Sequence, residues 1–208
     1  VIRSATLTGD TSVVLSLERP IVAGQQLSLS YSDPTAADDA NALQDLNGND
    51  AGSINASAVI NRSTVAAPTL RLSDDRLGLR VEGVSGTGLW LQVQALSADA
   101  AWQTSLELVS GDGVRLGAVG ATPGSANLGS TEVFVAAGQE LRFVQNSRNG
   151  LRNNTPNLRI TAEATGGGNG GGSGFQLQLD DGGGKDQDFN DLQAVSYTHL
   201  TLPTILLV

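Results

Sequence analysis

Apolar residues in this chain recur at every second position, in short runs closed by glycine-bearing turns, and almost nowhere at helical spacing. Ala5 and Leu7, then Val13, Leu15 and Leu17, then Leu27, Leu29 and Tyr31 each fall on one face of an extended segment. Gly9-Asp10 and Ala23-Gly24 sit between these runs as turn residues. A further strand over residues 54–60 follows an acidic, Asn-rich stretch from Asp33 to Asp50. The polar segment from Asn61 to Pro68 then reads as a boundary. Beyond it the same grammar restarts, with strands expected at 70–72, 77–84, 89–96, 104–109, 114–119, 132–135, 140–144, 158–162 and 175–179. Hairpin connections are expected at Ser85-Gly86-Thr87-Gly88, Gly111-Asp112-Gly113 and Ala137-Gly138. Strands at about 8–12 residue spacing predict an all-β chain of two tandem β-sandwich units.

Composition removes several functions. With 12 basic against 21 acidic residues, a net charge of −9 and a single Lys, the chain offers no positive stripe for phosphates, so no nucleic-acid partner is expected. Zero Cys excludes disulfides and thiolate chemistry, and one His excludes multi-histidine zinc sites. Glycine, at 26 of 208 residues, is far above the usual ~7%, which suits short strands and many turns. No apolar run approaches the ~18 residues of a membrane-spanning helix. The glycine-rich tract over 165–174 lacks the Lys-Ser/Thr of a nucleotide loop and is expected to be a surface loop.

Both ends read as abrupt. The chain starts without Met, inside an apparent strand at Val1-Ile2-Arg3, as expected of an excerpt from a longer protein. Residues 195–204 resemble the translation of a transposase adapter used in sequencing libraries, so 195–208 is expected to be a non-native tail. The alternative is a final strand with an apolar end. In either case the lone His199 is no catalytic candidate.

Chemistry concentrates in two acidic stretches. One holds Asp33, Asp38, Asp39, Asp45, Asn47, Asn49 and Asp50; the other holds Asp180, Asp181, Asp186, Asp188, Asn190 and Asp191, with Gly182-Gly183-Gly184 and Lys185 inside it. Two like charges 4 Å apart repel by about 1 kcal/mol in water and about 4 kcal/mol at an effective dielectric of 20, so converging carboxylates need a cation. Ca²⁺ fits, because it accepts 6–8 hard oxygen ligands in a tolerant geometry. The spacing Asp186-x-Asp188-x-Asn190 begins like an EF-hand loop, but Asp191 replaces the turn glycine and Tyr197 the bidentate Glu. No nine-residue glycine-aspartate repeat is present either. The ion-free alternative, in which both stretches are solvated acidic turns, stands beside the calcium reading.

Residues 1–63 resemble the latter part of the SwmB-like extracellular repeats of giant bacterial RTX-type adhesins, on the match Ser28-Leu29-Ser30-Tyr31-Ser32-Asp33-Pro34 and the run from Asp38-Asp39 to Asp50-Ala51. That resemblance implies a calcium-binding Ig-like sandwich, here incomplete, over 1–64. Residues 65–194 resemble the DUF4114-type calcium-dependent ligand-binding modules of such adhesins, on Asp180-Asp181-Gly182-Gly183-Gly184, Asp186 and Asp188-Phe189-Asn190-Asp191. The resemblance implies bound Ca²⁺ and an extracellular peptide or glycan ligand on a host or neighbouring cell. It also implies tandem domains in the same chain, and a secreted, cell-surface, biofilm-type setting.

Three classes of function follow. The first is a calcium-dependent adhesin fragment, and the second a purely mechanical, calcium-stiffened spacer. The third is a glycosidase using two carboxylates. Its candidates, Glu82, Glu107, Glu132, Glu140 and Glu163, lie mostly in expected strands without a recognisable second acid, so no catalytic residue is assigned. Trp90 alternates with Leu89, Leu91 and Val93 and so belongs to an outer strand face. There it either stacks on a sugar or, the commoner arrangement, is covered by a second sheet. The sequons at Asn55, Asn61 and Asn153 are read as chance in a bacterial chain.

Overall fold

A computed structural model describes residues 2–9, 12–35, 37–38, 42–97, 104–121, 128–147, 152–153, 157–163, 174–180, 189, 192–199 and 204–207. The chain divides into two compact units, Val1–Ala67 with Thr201–Val208, and Pro68–Leu200. Strands are the regular structure throughout the described residues, and the architecture is two tandem sandwich-like units.

In the first unit, β1 (Ile2–Thr8) and β2 (Ser12–Leu17) form an antiparallel ribbon, and β3 (Leu27–Tyr31) pairs antiparallel with β4 (Ile54–Val59). Asn61 ties the end of this unit to its middle, since its Nδ2 donates to the carbonyls of Val22 and Gln25, each at 2.8 Å. Large apolar residues are buried at only three described positions here: Val22, Leu27 and Tyr31. The alternation in β1 and β2 leads one to expect a buried face, yet Leu7 is 68% exposed and Val14, on the opposite face, 52%. Strand formation needs only the pairing of the ribbon; burial needs a second layer, and these side chains meet none.

The second unit contains β5 (Thr69–Leu72), β6 (Gly78–Glu82), β7 (Gly88–Ser97), β8 (Thr104–Ser110), β9 (Arg115–Ala121) and β10 (Ser130–Ala136). They are followed by β11 (Glu140–Ser147), β12 (Arg152–Asn153), β13 (Asn157–Glu163), β14 (Gly174–Asp180) and β15 (Leu192–His199). One sheet has the order β10-β7-β15-β14-β13; the other runs β5-β6-β11-β8-β9, with β12 against β11. Every pairing is antiparallel. Leu89, Leu91 and Val93 of β7 and Leu177 and Leu179 of β14 meet Leu106, Leu108 and Phe143 of the facing sheet in one core. Each such side chain contributes roughly 1.5–3 kcal/mol on burial, so this core holds most of the stability of the chain.

Of the three expected hairpins one forms: Gly113 closes the turn between the paired strands β8 and β9. The connections at Gly86 and Gly138 instead cross from one sheet to the other, β6 to β7 and β10 to β11, because the alternation that marks a strand does not say which sheet receives it. All three glycines have φ near +85°, a left-handed backbone that glycine adopts without cost. In the sheet of β8 and β9, the carboxylate of Asp75 in the β5–β6 turn accepts from Arg142 of β11, from Ser73 Oγ at 2.7 Å and from the Leu77 N–H at 3.1 Å. The Arg142 contact, then the Ser73 hydroxyl, holds this carboxyl well below its usual value, at about 2.

Residues 195–199, set aside above with the tail, form the second half of β15, which lies between β7 and β14. Val195 is 1% exposed and Ser196 fully buried. Val195-Ser196-Tyr197-Thr198 is rich in β-formers, which suits a strand whatever the origin of the segment. The chain then returns to the first unit, where β16 (Thr204–Leu207) pairs parallel with β3.

Candidate functional site

The first acidic stretch follows β3. Its start is fixed by Tyr31, buried, whose hydroxyl accepts the Leu43 N–H at 2.9 Å, and by the Asp33 N–H, which donates to Ser53 Oγ at 3.0 Å. Asp45 closes a local turn. Its Oδ1 accepts the backbone N–H groups of Asn47 at 2.8 Å and Asn49 at 3.0 Å, and its Oδ2 accepts Asn49 Nδ2 at 2.8 Å. The Asn49 side chain, then the backbone N–H groups, lower the pKa of this carboxyl. Asp38 and Asp50 come together, as Asp38 Oδ1 accepts the Asp50 N–H at 3.1 Å, while Gln44 Nε2 donates to Asp50 Oδ1 at 2.8 Å. Asp33 turns onto its own loop through Oδ1 and the Thr35 N–H at 3.2 Å. Asp39 lies outside the described residues. Asp33, Asp38 and Asp45 therefore serve as acceptors for backbone N–H groups of their own stretch, a use the spacing alone does not reveal.

The second acidic stretch connects β14 to β15, which are direct neighbours with Leu179 paired to Leu192. Both anchoring leucines are buried, and Asp180, the last residue of β14, is 1% exposed. The pairings Gln193–Ser97 and Asn157–Asp180 place this connection at the end of the five-stranded sheet opposite the turns of Gly86 and Gly138. Asp181, Asp186, Asp188, Asn190 and Asp191 lie outside the described residues. Phe189 is described. Its φ is +56°, unusual for a bulky residue, and the guanidinium of Arg159 on β13 lies 4.1 Å from its ring centroid. No sequence spacing links Arg159 to Phe189; only the pairing of β13 with β14 brings them together. Among the described residues, no group of three or more acidic or His side chains is placed to hold a metal.

Three of the five glutamates considered for glycoside hydrolysis are held in ion pairs. Glu82 pairs with Arg71 at 2.7 Å, Glu107 with Arg115 at 3.2 Å, and Glu140 with Arg142 at 3.0 Å. Trp90 lies on the outer face of the five-stranded sheet as its alternation requires. The facing sheet covers the inner face instead, and the partial burial of Trp90 comes with an edge-to-face contact on Phe134, ring centroids 5.5 Å apart. Trp102 lies outside the described residues, and no described helix is long and apolar enough to cross a membrane.

No protein-family profile and no curated protein sequence matches the chain. Among solved structures it is similar to a Chromobacterium violaceum lectin determined with alpha-methyl-fucoside, at 18% identity and a TM-score of 0.39, covering 54% of this chain and 88% of the lectin. It is similar to a Ralstonia solanacearum mannose-binding lectin at 18% identity and a TM-score of 0.40, covering 55% and 89%. The C-terminal domain of a Burkholderia cenocepacia lectin gives 17%, 0.39, 54% and 90%. At these values the function of the chain rests on its own residues.

Proposed function

We propose that this chain is a non-catalytic, calcium-dependent binding protein of the bacterial cell surface, taking an extracellular peptide or glycan at the connection between β14 and β15. Asp180, Asp181, Asp186, Asp188, Asn190 and Asp191 would supply the oxygen ligands for Ca²⁺. The observation that carries the reading is the anchoring of this connection. Five carboxylates in twelve residues hang between two adjacent strands whose ends are pinned by buried leucines, and the first of the five is itself buried. Strands that pair directly run ~5 Å apart, so the two ends of this acidic connection are close, and a divalent cation would relieve repulsion between carboxylates drawn together there.

Extracellular calcium sites work near 10⁻⁴–10⁻³ M, where an acidic module outside the cell is loaded. The test is calorimetric titration of Ca²⁺ into the chelated full chain, with Asp186→Asn/Asp188→Asn alongside. Heat in the parent and its loss in the double variant is the expected result; a parent without heat overturns the proposal.

The first unit favours a second reading for its own acidic stretch. Asp45 already accepts three N–H donors, so this turn is held without an ion and suits a spacer. In a spacer throughout, a peptide and glycan array probed with and without Ca²⁺ would give no binding at all.

A further inference from the structure

The outer face of the five-stranded sheet has a composition that neither acidic stretch accounts for. Outward positions of β7 carry Trp90, Gln92 and Gln94, alternating with the buried Leu89, Leu91 and Val93. The register sets Trp90 beside Phe134, Gln92 between Glu132 and Tyr197, and Gln94 beside Val195. Val195 in turn neighbours Gln176, and Gln176 neighbours Thr161. Aromatic rings and carboxamides thus occupy outward positions across the sheet, around the buried Val195.

This surface has built features. A Cβ on Gly88 would overlap the Phe134 ring, so glycine at the start of β7 is what lets that ring lie over the strand beside Trp90. Tyr197 is likewise paired across the strands with a glycine, Gly174. Among the described side chains at its outward positions, the exposed charges are Glu132 at one side and Arg159 at the other, in a chain of net charge −9.

We propose that this face binds a neutral polysaccharide chain, independently of calcium and separately from the β14–β15 connection. Sugar rings present apolar C–H faces and hydroxyl edges. Half-buried aromatic rings match the first, and carboxamides, which both donate and accept, match the second. Among the described side chains of this face a charged polymer would find neither a cationic nor an anionic stripe. The competing explanation for Trp90 and Phe134, that the rings merely protect the strand at Gly88, does not require glutamines at the outward positions of β7 and β14.

The experiment is native gel electrophoresis of the full chain through mixed-linkage β-glucan or galactomannan in EDTA, with polygalacturonate as the acidic comparison. Retardation is expected in at least one neutral polymer and not in polygalacturonate. Trp90→Ala should weaken it about tenfold, the loss of one aromatic contact of about 1.4 kcal/mol, and Gln92→Ala about threefold. Val14→Ser, in the first unit, should leave it unchanged. Gln92 is exposed, so its variant decides the matter if Trp90→Ala fails to melt cooperatively. No retardation in either neutral polymer, retardation unchanged in Gln92→Ala, preference for polygalacturonate, or retardation seen only with Ca²⁺ each overturns the proposal. The last outcome would instead support ligand binding at the acidic connection.

Discussion

The two units use the same alternating pattern and reach different states of burial. In the second, outward and inward positions of β7 separate cleanly because a facing sheet receives Leu89, Leu91 and Val93. In the first, Leu7 on one face of the β1–β2 ribbon and Val14 on the other both remain exposed. The contrast separates two things that periodicity merges. A period of two specifies extended backbone with distinguishable faces, but says nothing about whether a second layer exists to cover one of them.

The largest effect should come from the second unit. Removing residues 195–208 deletes half of a strand paired on both sides, together with the buried Val195 and Ser196. Cooperative thermal unfolding of Pro68–Leu200, followed by circular dichroism, should be lost. If the shortened chain melts like the parent, the interior placement of β15 is wrong.

Next comes a paired substitution. Phe143→Ala, in the core, should cost about 3–5 kcal/mol by urea unfolding, whereas Leu7→Ala should stay within about 0.5 kcal/mol. Equal costs would erase the contrast between the units.

Calcium provides a third comparison. Millimolar Ca²⁺ should stabilise by roughly 1–3 kcal/mol per site for a Kd of 10⁻⁵–10⁻⁴ M, read as a higher melting temperature than in EDTA. With Asp45 already satisfied, Asp45→Asn should leave that increment nearly intact, while Asp186→Asn should reduce it.

The smallest effect concerns pH. The Asp75 carboxyl is held at about 2 in the folded chain, below the ordinary 3.8 of an aspartate, so its contribution is complete above the unfolded value and fades as pH falls toward 2. The pair with Arg142 is partly solvated, which keeps the contribution under about 1 kcal/mol. Asp75→Asn should lower stability slightly at pH 6 and flatten the acid limb of the stability profile; an unchanged limb assigns that limb to other carboxylates.

Much of the second unit was legible because local signals agreed. Alternation located its strands, and the glycines at 86, 113 and 138 marked turns with a left-handed backbone, although only Gly113 closes a hairpin and the other two carry the chain between sheets. What the sequence did not disclose depends on contacts far apart along the chain. β15 lying beside β7, Arg159 reaching Phe189 and Phe134 settling over Gly88 all follow from strand order, which no local window contains. The acidic stretches were conspicuous by composition, yet the commitment of Asp45 to its own turn emerges only from hydrogen-bond geometry.

The location of β15 bears on how the molecule is assembled during synthesis. Of the strands in its sheet it is the last made, and it goes into the middle. Until it emerges from the ribosome, the β10–β7 and β13–β14 pairs are separate hairpin-like pieces with bare inner edges. Such a nascent chain folds late, and those waiting edges are where a neighbouring copy would invade.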